Sequence, residues 1–180
     1  MRSKRASVYE SLHRAALGQD IVFVTPGGIY GPGPFTERAL HPTCFNSTLL
    51  AGITGSLDRY VKFPLTWVFV ADVVNIVLAA FERGSIGERY LALGRVEDIC
   101  SLPEFCNRTA EIAGSPHRVA DVDPASGLDI GTMAQFAARK YPDPIMDSSA
   151  TSQALGVTPT ALHEGLRQTV DWLRSQGKID

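Results

Sequence analysis

The residues with the most distinctive chemical pattern lie between Asp20 and Phe35, DIVFVTPGGIYGPGPF, where an apolar β-branched run gives way to a loop of four glycines and three prolines. Many nucleotide sites begin in this way, with backbone N–H groups and a following helix N-terminus holding phosphate. Gly27, Gly28, Gly31 and Gly33 do not follow the order G-x-G-x-x-G, and Pro26, Pro32 and Pro34 have no N–H to offer. No helix opens within the loop and no P-loop lysine follows it. A phosphate cradle is therefore not expected. Two readings stay open for these residues taken alone: a structural turn, or a strand-end loop beside a ligand, since ligands of open α/β sheets lie outside the carboxyl ends of the strands.

Other reactive residue types form no constellation. His13, His41, His117 and His163 are scattered without ligand spacing, and Glu37 and Asp58 have no carboxylate partner. Asp72, after a strand and at a helix start, reads as an N-cap. No Ser–His–Asp arrangement can be drawn. Cys44, Cys100 and Cys106 lack CxxC spacing, which fits reduced thiols in a cytoplasmic protein and no metal site. Phe35, Phe45 and Trp67 are candidates for the wall of a substrate pocket, with core packing the better reading for Trp67.

Composition limits the partners. Seventeen Lys and Arg against nineteen Asp and Glu leave a formal charge of −2, so neither nucleic acid nor an anionic membrane is expected as a partner. The longest apolar region, Trp67 to Phe81, is interrupted by Asp72 and Asn75 and is too short to span a bilayer. MRSKRASVYESLHR is basic and serine-rich, as transit peptides are, but reads more simply as the start of a surface helix.

The elements that must position these residues alternate between strand and helix. Arg2–Leu17 is a predicted helix with Val8, Leu12, Ala15 and Ala16 on one face, and Asp20–Thr25 a strand buried on both faces. A helix is expected from Pro42 to about Gly52, and short strands at Tyr60–Phe63 and Trp67–Val70. A mostly buried helix, Asp72–Arg83, and a strand, Arg89–Leu93, follow. Then come a helix Leu102–Ala113, a strand His117–Val122 and a weaker helix over 126–141. The clearest helix is Thr158–Gln176, with Thr158 as N-cap, Pro159 at its first position and a stripe of Leu162, Leu166, Val170 and Leu173. Such alternation predicts an α/β fold in one unit of 180 residues.

TPGGIYGPGPF resembles the loop of extended short-chain dehydrogenases/reductases, the NAD-dependent epimerase/dehydratase superfamily. Three further segments agree in order: WVFVADVVNIVLAAFERGSIGERYLAL, LPEFCNRTAEIAG, and DSSATSQALGVTPTALHEGLRQTVDWLRSQG. Together they cover nearly the whole chain. The resemblance implies the C-terminal part of a Rossmann-like parallel sheet plus a small α/β substrate-binding lobe, without the N-terminal half that holds the cofactor phosphates. It implies NAD or NADP as cofactor in the complete protein and a small-molecule alcohol or carbonyl substrate. It also implies pairing with that N-terminal half or with a second copy. The backbone from Pro26 through Gly27 and Gly28 to Ile29 would lie against the nicotinamide. Ser3-Lys4 matches the family's lysine of Tyr-x-x-x-Lys, making Lys4 the catalytic and ribose-binding residue, with its tyrosine one position before Met1. Phe35 and Phe45 would touch substrate.

The sequence departs from the family in two places. Thr25 stands where an arginine is usual. Phe63-Pro64-Leu65-Thr66 stands where sugar-nucleotide enzymes usually carry Arg-Asp, which leans towards a steroid-like or flavonoid-like alcohol. A non-catalytic binding or regulatory module of the same fold would have the same signature.

Overall fold

A computed structural model describes residues 2–126 and 147–180 of the chain. Its centre is a pair of parallel ladders joined at one residue. Strand β1 (Phe23–Pro26) pairs in parallel with β6 (Arg89–Ala92), Pro26 opposite Ala92. Strand β2 (Gly28–Tyr30) pairs in parallel with β5 (Trp67–Phe69), Gly28 opposite Trp67. Gly27 lies between them: its N–H donates to Ala92 O at 3.0 Å, and the N–H of Gly28 donates to Thr66 O at 2.8 Å. The chain thus changes partner strand within one residue. A second parallel pair joins β3 (Arg59–Val61) to β8 (Ala120–Val122), and a short antiparallel pair joins β4 (Pro64–Leu65) to β7 (Cys100–Ser101). The predicted α/β class with parallel pairing is borne out.

Helices cover these ladders. They are α1 (Arg2–Ala16), α2 (Thr36–Ala39), α3 (Phe45–Thr54), α4 (Val70–Arg83), α5 (Leu102–Ala113), α6 (Ser149–Leu155) and α7 (Leu162–Ser175). Ser101 opens α5 by accepting the N–H of Glu104 on its hydroxyl at 3.3 Å. The predicted stripe of α7 is buried, with Leu162, Leu166, Val170 and Leu173 each at 2% exposure or less.

Two cores result. The larger surrounds Trp67, whose ring lies flat on Phe105 at 3.8 Å between centroids and takes the edge of Phe45 at 5.0 Å. Its Nε1–H donates to Cys100 O at 3.0 Å, so the one polar atom of the buried ring is satisfied. The smaller core joins Ile76, Ala79 and Ala80 of α4 to Tyr90, Ala92 and Leu155, with Val22 and Val24 against it.

Several expectations are corrected. The first strand is not buried on both faces: Thr25 and Pro26 are exposed and, among the described residues, β1 pairs with β6 alone. Helix α4 buries one face only, while Val74, Val77, Leu78 and Phe81 face outward. On α1 only Ala15 of the expected face is buried, and Leu12 is 41% exposed. Asp72 is not an N-cap, because α4 starts two residues earlier at Val70 and places it within the first turn. Thr158 does not cap α7, which starts at Leu162 after a loop. The expected helix over 126–141 lies, Ser126 apart, outside the described residues.

Candidate functional site

The carboxyl ends of β1 and β2 present the segment the sequence singled out. Thr25, Pro26 and Ile29 are exposed, Gly27 and Gly28 half-buried, and Tyr30 buried. The alternation follows the strand period: Ile29 points out while Tyr30 goes into the large core, edge-on to Phe105 at 5.1 Å. The N–H groups of Gly27, Gly28 and Gly31 are all committed within the protein, to Ala92 O, Thr66 O and Asn46 Oδ1. This stretch therefore has no row of free donors for phosphate, as its prolines foretell.

The glycines have a packing role that sequence reasoning did not supply. A Cβ on Gly28 would sit 2.9 Å from Trp67 Cε3, and one on Gly27 would meet Thr66 Oγ1. Their bare side thus lets β2 lie close against the Thr66–Trp67 backbone. Gly31 turns the chain with φ +123°, a conformation L side chains rarely adopt. That turn leaves its backbone without a strand partner, and Asn46 takes both groups: Oδ1 accepts the Gly31 N–H at 3.0 Å and Nδ2 donates to Gly31 O at 2.7 Å. Asn46, 6% exposed, locks the loop to α3. Nothing in the sequence marked it, since an asparagine in a first helical turn ordinarily faces water.

Beside the exposed strand end lies a groove of about 440 Å³. Gly27, Ile29, Ala39, Cys44, Phe45 and Val70 are among the residues that line it. The structure thus brings together three of the predicted residues, Gly27, Ile29 and Phe45. Phe35 does not line the groove; it is 67% exposed, with the Arg38 guanidinium 5.7 Å above its ring. Lys4 is exposed on the first turn of α1, and no hydrogen bond or ion pair among the described residues ties it to the Pro26–Ile29 segment.

Two carboxylates brace the base of the site. Asp72 accepts the Thr160 N–H and Oγ1–H, both at 2.8 Å, and Asp98 accepts the Leu162 N–H at 2.9 Å. Asp98 thereby supplies from a distant loop the cap that α7 lacks locally. Tyr30 Oη lies 3.5 Å from Leu162 O, and burial first, then the nearby Asp72 and Asp98 charges, raise its pKa far above the ordinary range. It stays a neutral phenol buried in the core. Among the described residues no cluster of His, Cys, Asp and Glu could hold a metal, and no helix is long and apolar enough to cross a membrane.

No family model matches the chain. Sterol demethylase protein B of Methylococcus capsulatus is 26% identical over 195 residues, covering 99% of this chain and 57% of that protein. A nucleoside-diphosphate-sugar epimerase from Pseudomonas aeruginosa superposes with a TM-score of 0.71 at 25% identity, covering 98% of this chain and 55% of that one. The chain resembles the C-terminal part of the extended short-chain dehydrogenases/reductases. It spans about half the length of the curated relatives it matches. The fold is shared further by RMD from Pseudomonas aeruginosa complexed with NADPH, with a TM-score of 0.68 at 15% identity over 97% of this chain and 55% of that one. The resemblance read from TPGGIYGPGPF and the three segments after it is thus borne out as a similarity to these relatives and as a shared fold.

Proposed function

We propose that this chain forms the substrate side of an NAD(P)-dependent oxidoreductase acting at an alcohol or carbonyl carbon, working with an N-terminal half that binds the cofactor phosphates. The observation that carries this is the partly exposed Pro26–Ile29 segment, which leaves the carboxyl end of β1 and begins β2, with the N–H groups of Gly27 and Gly28 already used and an apolar groove beside it. Such an edge fits a flat ring and does not fit phosphate. The bound nicotinamide would supply or accept the hydride. Pro26, Gly27, Gly28 and Ile29 would orient that ring and keep water from it. Lys4 would approach the ribose and hold positive charge near the proton-transferring tyrosine of Tyr-x-x-x-Lys, lowering its pKa. Phe45 would bear on the substrate from the groove wall and Phe35 from outside it. NADPH in one structure of this fold, and the sterol and nucleoside-diphosphate sugar in the names of two similar proteins, support the reading.

Pairing belongs to the same proposal. The outward apolar face of α4 and the open edge of β1 are the surfaces on which the complementary half, or a second copy, would close.

The test is hydride transfer from NADH and NADPH to a carbonyl panel, by a protein that joins this chain to a cofactor-binding half. Turnover is expected, with Lys4→Ala reducing it at least ~100-fold while circular dichroism stays unchanged. Turnover with neither nucleotide, or a Lys4→Ala variant at full rate, would overturn the assignment. The 180-residue chain alone is expected to bind NADH weakly or not at all.

A further inference from the structure

The groove beside Ile29 has a chemical character narrower than the reaction class. None of its described lining residues carries a charge. Its polar side chains are also already engaged. Both amide atoms of Asn46 serve Gly31, the Tyr30 hydroxyl faces Leu162 O, and Thr43 Oγ1 lies 2.9 Å from His41 Nδ1. Cys44 Sγ lies 3.5 Å from Arg38 O.

A nucleoside diphosphate placed here would bring two negative charges to a surface with neither a cation nor a spare donor among those side chains. Recognition of phosphate relies on charge-assisted contacts, ideally bidentate ones from arginine. Without them the lost hydration is not replaced, and burying a charge without a partner is costly. An apolar body loses nothing in the same place. It gains by covering Ile29, which is 39% exposed, together with Ala39 and Phe45. At about 440 Å³ the groove lies within the ~300–1,000 Å³ range of small-molecule clefts.

We infer that the groove walled by Ile29, Ala39, Cys44 and Phe45 takes the uncharged, fused-ring body of an alcohol or ketone, and not a nucleotide-linked sugar. This rests on the oxidoreductase reading for the identity of the reacting group. The groove meets the apolar body and leaves the reacting oxygen as the one polar group for the rest of the site to bind.

The experiment is a methyl NMR titration of the 180-residue chain with epiandrosterone and, separately, with UDP-glucose, following the Ile29 and Ala39 methyl groups. Epiandrosterone is expected to shift both saturably, and UDP-glucose to leave both in place. Shifts by UDP-glucose alone, or by neither compound, overturn the inference. Ile29→Lys alters an exposed side chain, so the fold should persist, checked by unchanged Trp67 fluorescence. It should weaken epiandrosterone binding about tenfold or more, as an ammonium on the wall must be desolvated. Undiminished binding in that variant puts the ligand elsewhere and also overturns the inference. The two readings separate cleanly. Saturable epiandrosterone binding without any NAD(P)-dependent turnover sinks the oxidoreductase reading alone, whereas turnover of a nucleotide sugar without epiandrosterone binding sinks this one alone.

Discussion

Around Trp67, apolar side chains from strands and helices are closed in on every side; along α1 and α4 the same kinds of side chain face outward. Leu49 and Leu166 are fully buried and Tyr30 and Phe105 nearly so, whereas Phe81 is 86% exposed, Leu17 72% and Leu78 55%. The first region satisfies its polar atoms as well, through Trp67 Nε1–H on Cys100 O and Asn46 on Gly31. The second leaves one edge of β1 without a partner strand among the described residues. Edges and contiguous apolar faces of this kind are where another surface docks. The lobe is a closed core, whereas the β1–β6 layer leaves a strand edge and an apolar helix face uncovered among the described residues. The candidate site lies at Gly27, where the two regions meet.

This contrast can be broken by mutation. Trp67→Ala should cost about 3–5 kcal/mol, because it removes the Phe105 stack, the Phe45 edge and the Cys100 hydrogen bond together. Leu78→Ala on the outer face of α4 should stay within about 0.5 kcal/mol. Urea unfolding of both variants measures the difference, and equal losses would mean that the α4 face is as closed as the lobe.

The bracing carboxylates sharpen the comparison at intermediate size. Asp72→Ala leaves the Thr160 N–H and hydroxyl without their acceptor and should cost about 1–3 kcal/mol. Hydrogen exchange at the first turn of α7 should quicken in this variant while α1 exchanges as before. Unchanged exchange at Leu162 and its neighbours would show that Asp72 does not hold that turn.

The smallest expected effect is on the thiols. Burial pushes Cys100 and Cys106 up to about 12, so both stay protonated and inert in the lobe, while the half-buried Cys44 is the one open to reagent. At neutral pH a thiol reagent should modify Cys44 first, and all three only after denaturation. In the unfolded chain a cysteine titrates near ~8.5. The two buried thiols therefore contribute stability fully below that pH, and the contribution falls as pH climbs towards about 12, since the unfolded state sheds its protons first. A urea midpoint that rises over the same interval would contradict the assignment of these thiols to a closed core.

Much of the lobe was legible in the sequence because its signals are local. Leu102–Ala113 was bounded correctly, and the stripe of α7 named its buried face. The same helix was started four residues early, because Thr158-Pro159 resembles a capped start whereas the effective cap is Asp98, sixty-four positions away. Asp72 was misplaced for a related reason: its partner, Thr160, is remote in the chain. Of the residues the sequence singled out, Gly27, Ile29 and Phe45 line one groove. The demand that Thr66 and Trp67 make on Gly27 and Gly28 was not foreseen, since it depends on a strand pairing the sequence does not spell out. Asn46 gave no signal at all. The exposure of α4 was missed because its apolar residues run all round the helix, and periodicity alone cannot tell an outward apolar face from an inward one.

The remote cap on α7 also has a bearing on how the chain is made. The hydrogen bonds that fix the start of this helix reach back 64, 88 and 132 residues, to Asp98, Asp72 and Tyr30. Every one of these partners leaves the ribosome well before Leu162. The helix therefore arrives after them, at two acceptors and one donor already in place, and closing such long loops is slow compared with winding a helix. Until it docks, Tyr30 and the Trp67–Phe105 stack lack their final cover, so the groove-bearing lobe matures only after Leu162–Ser175 has emerged.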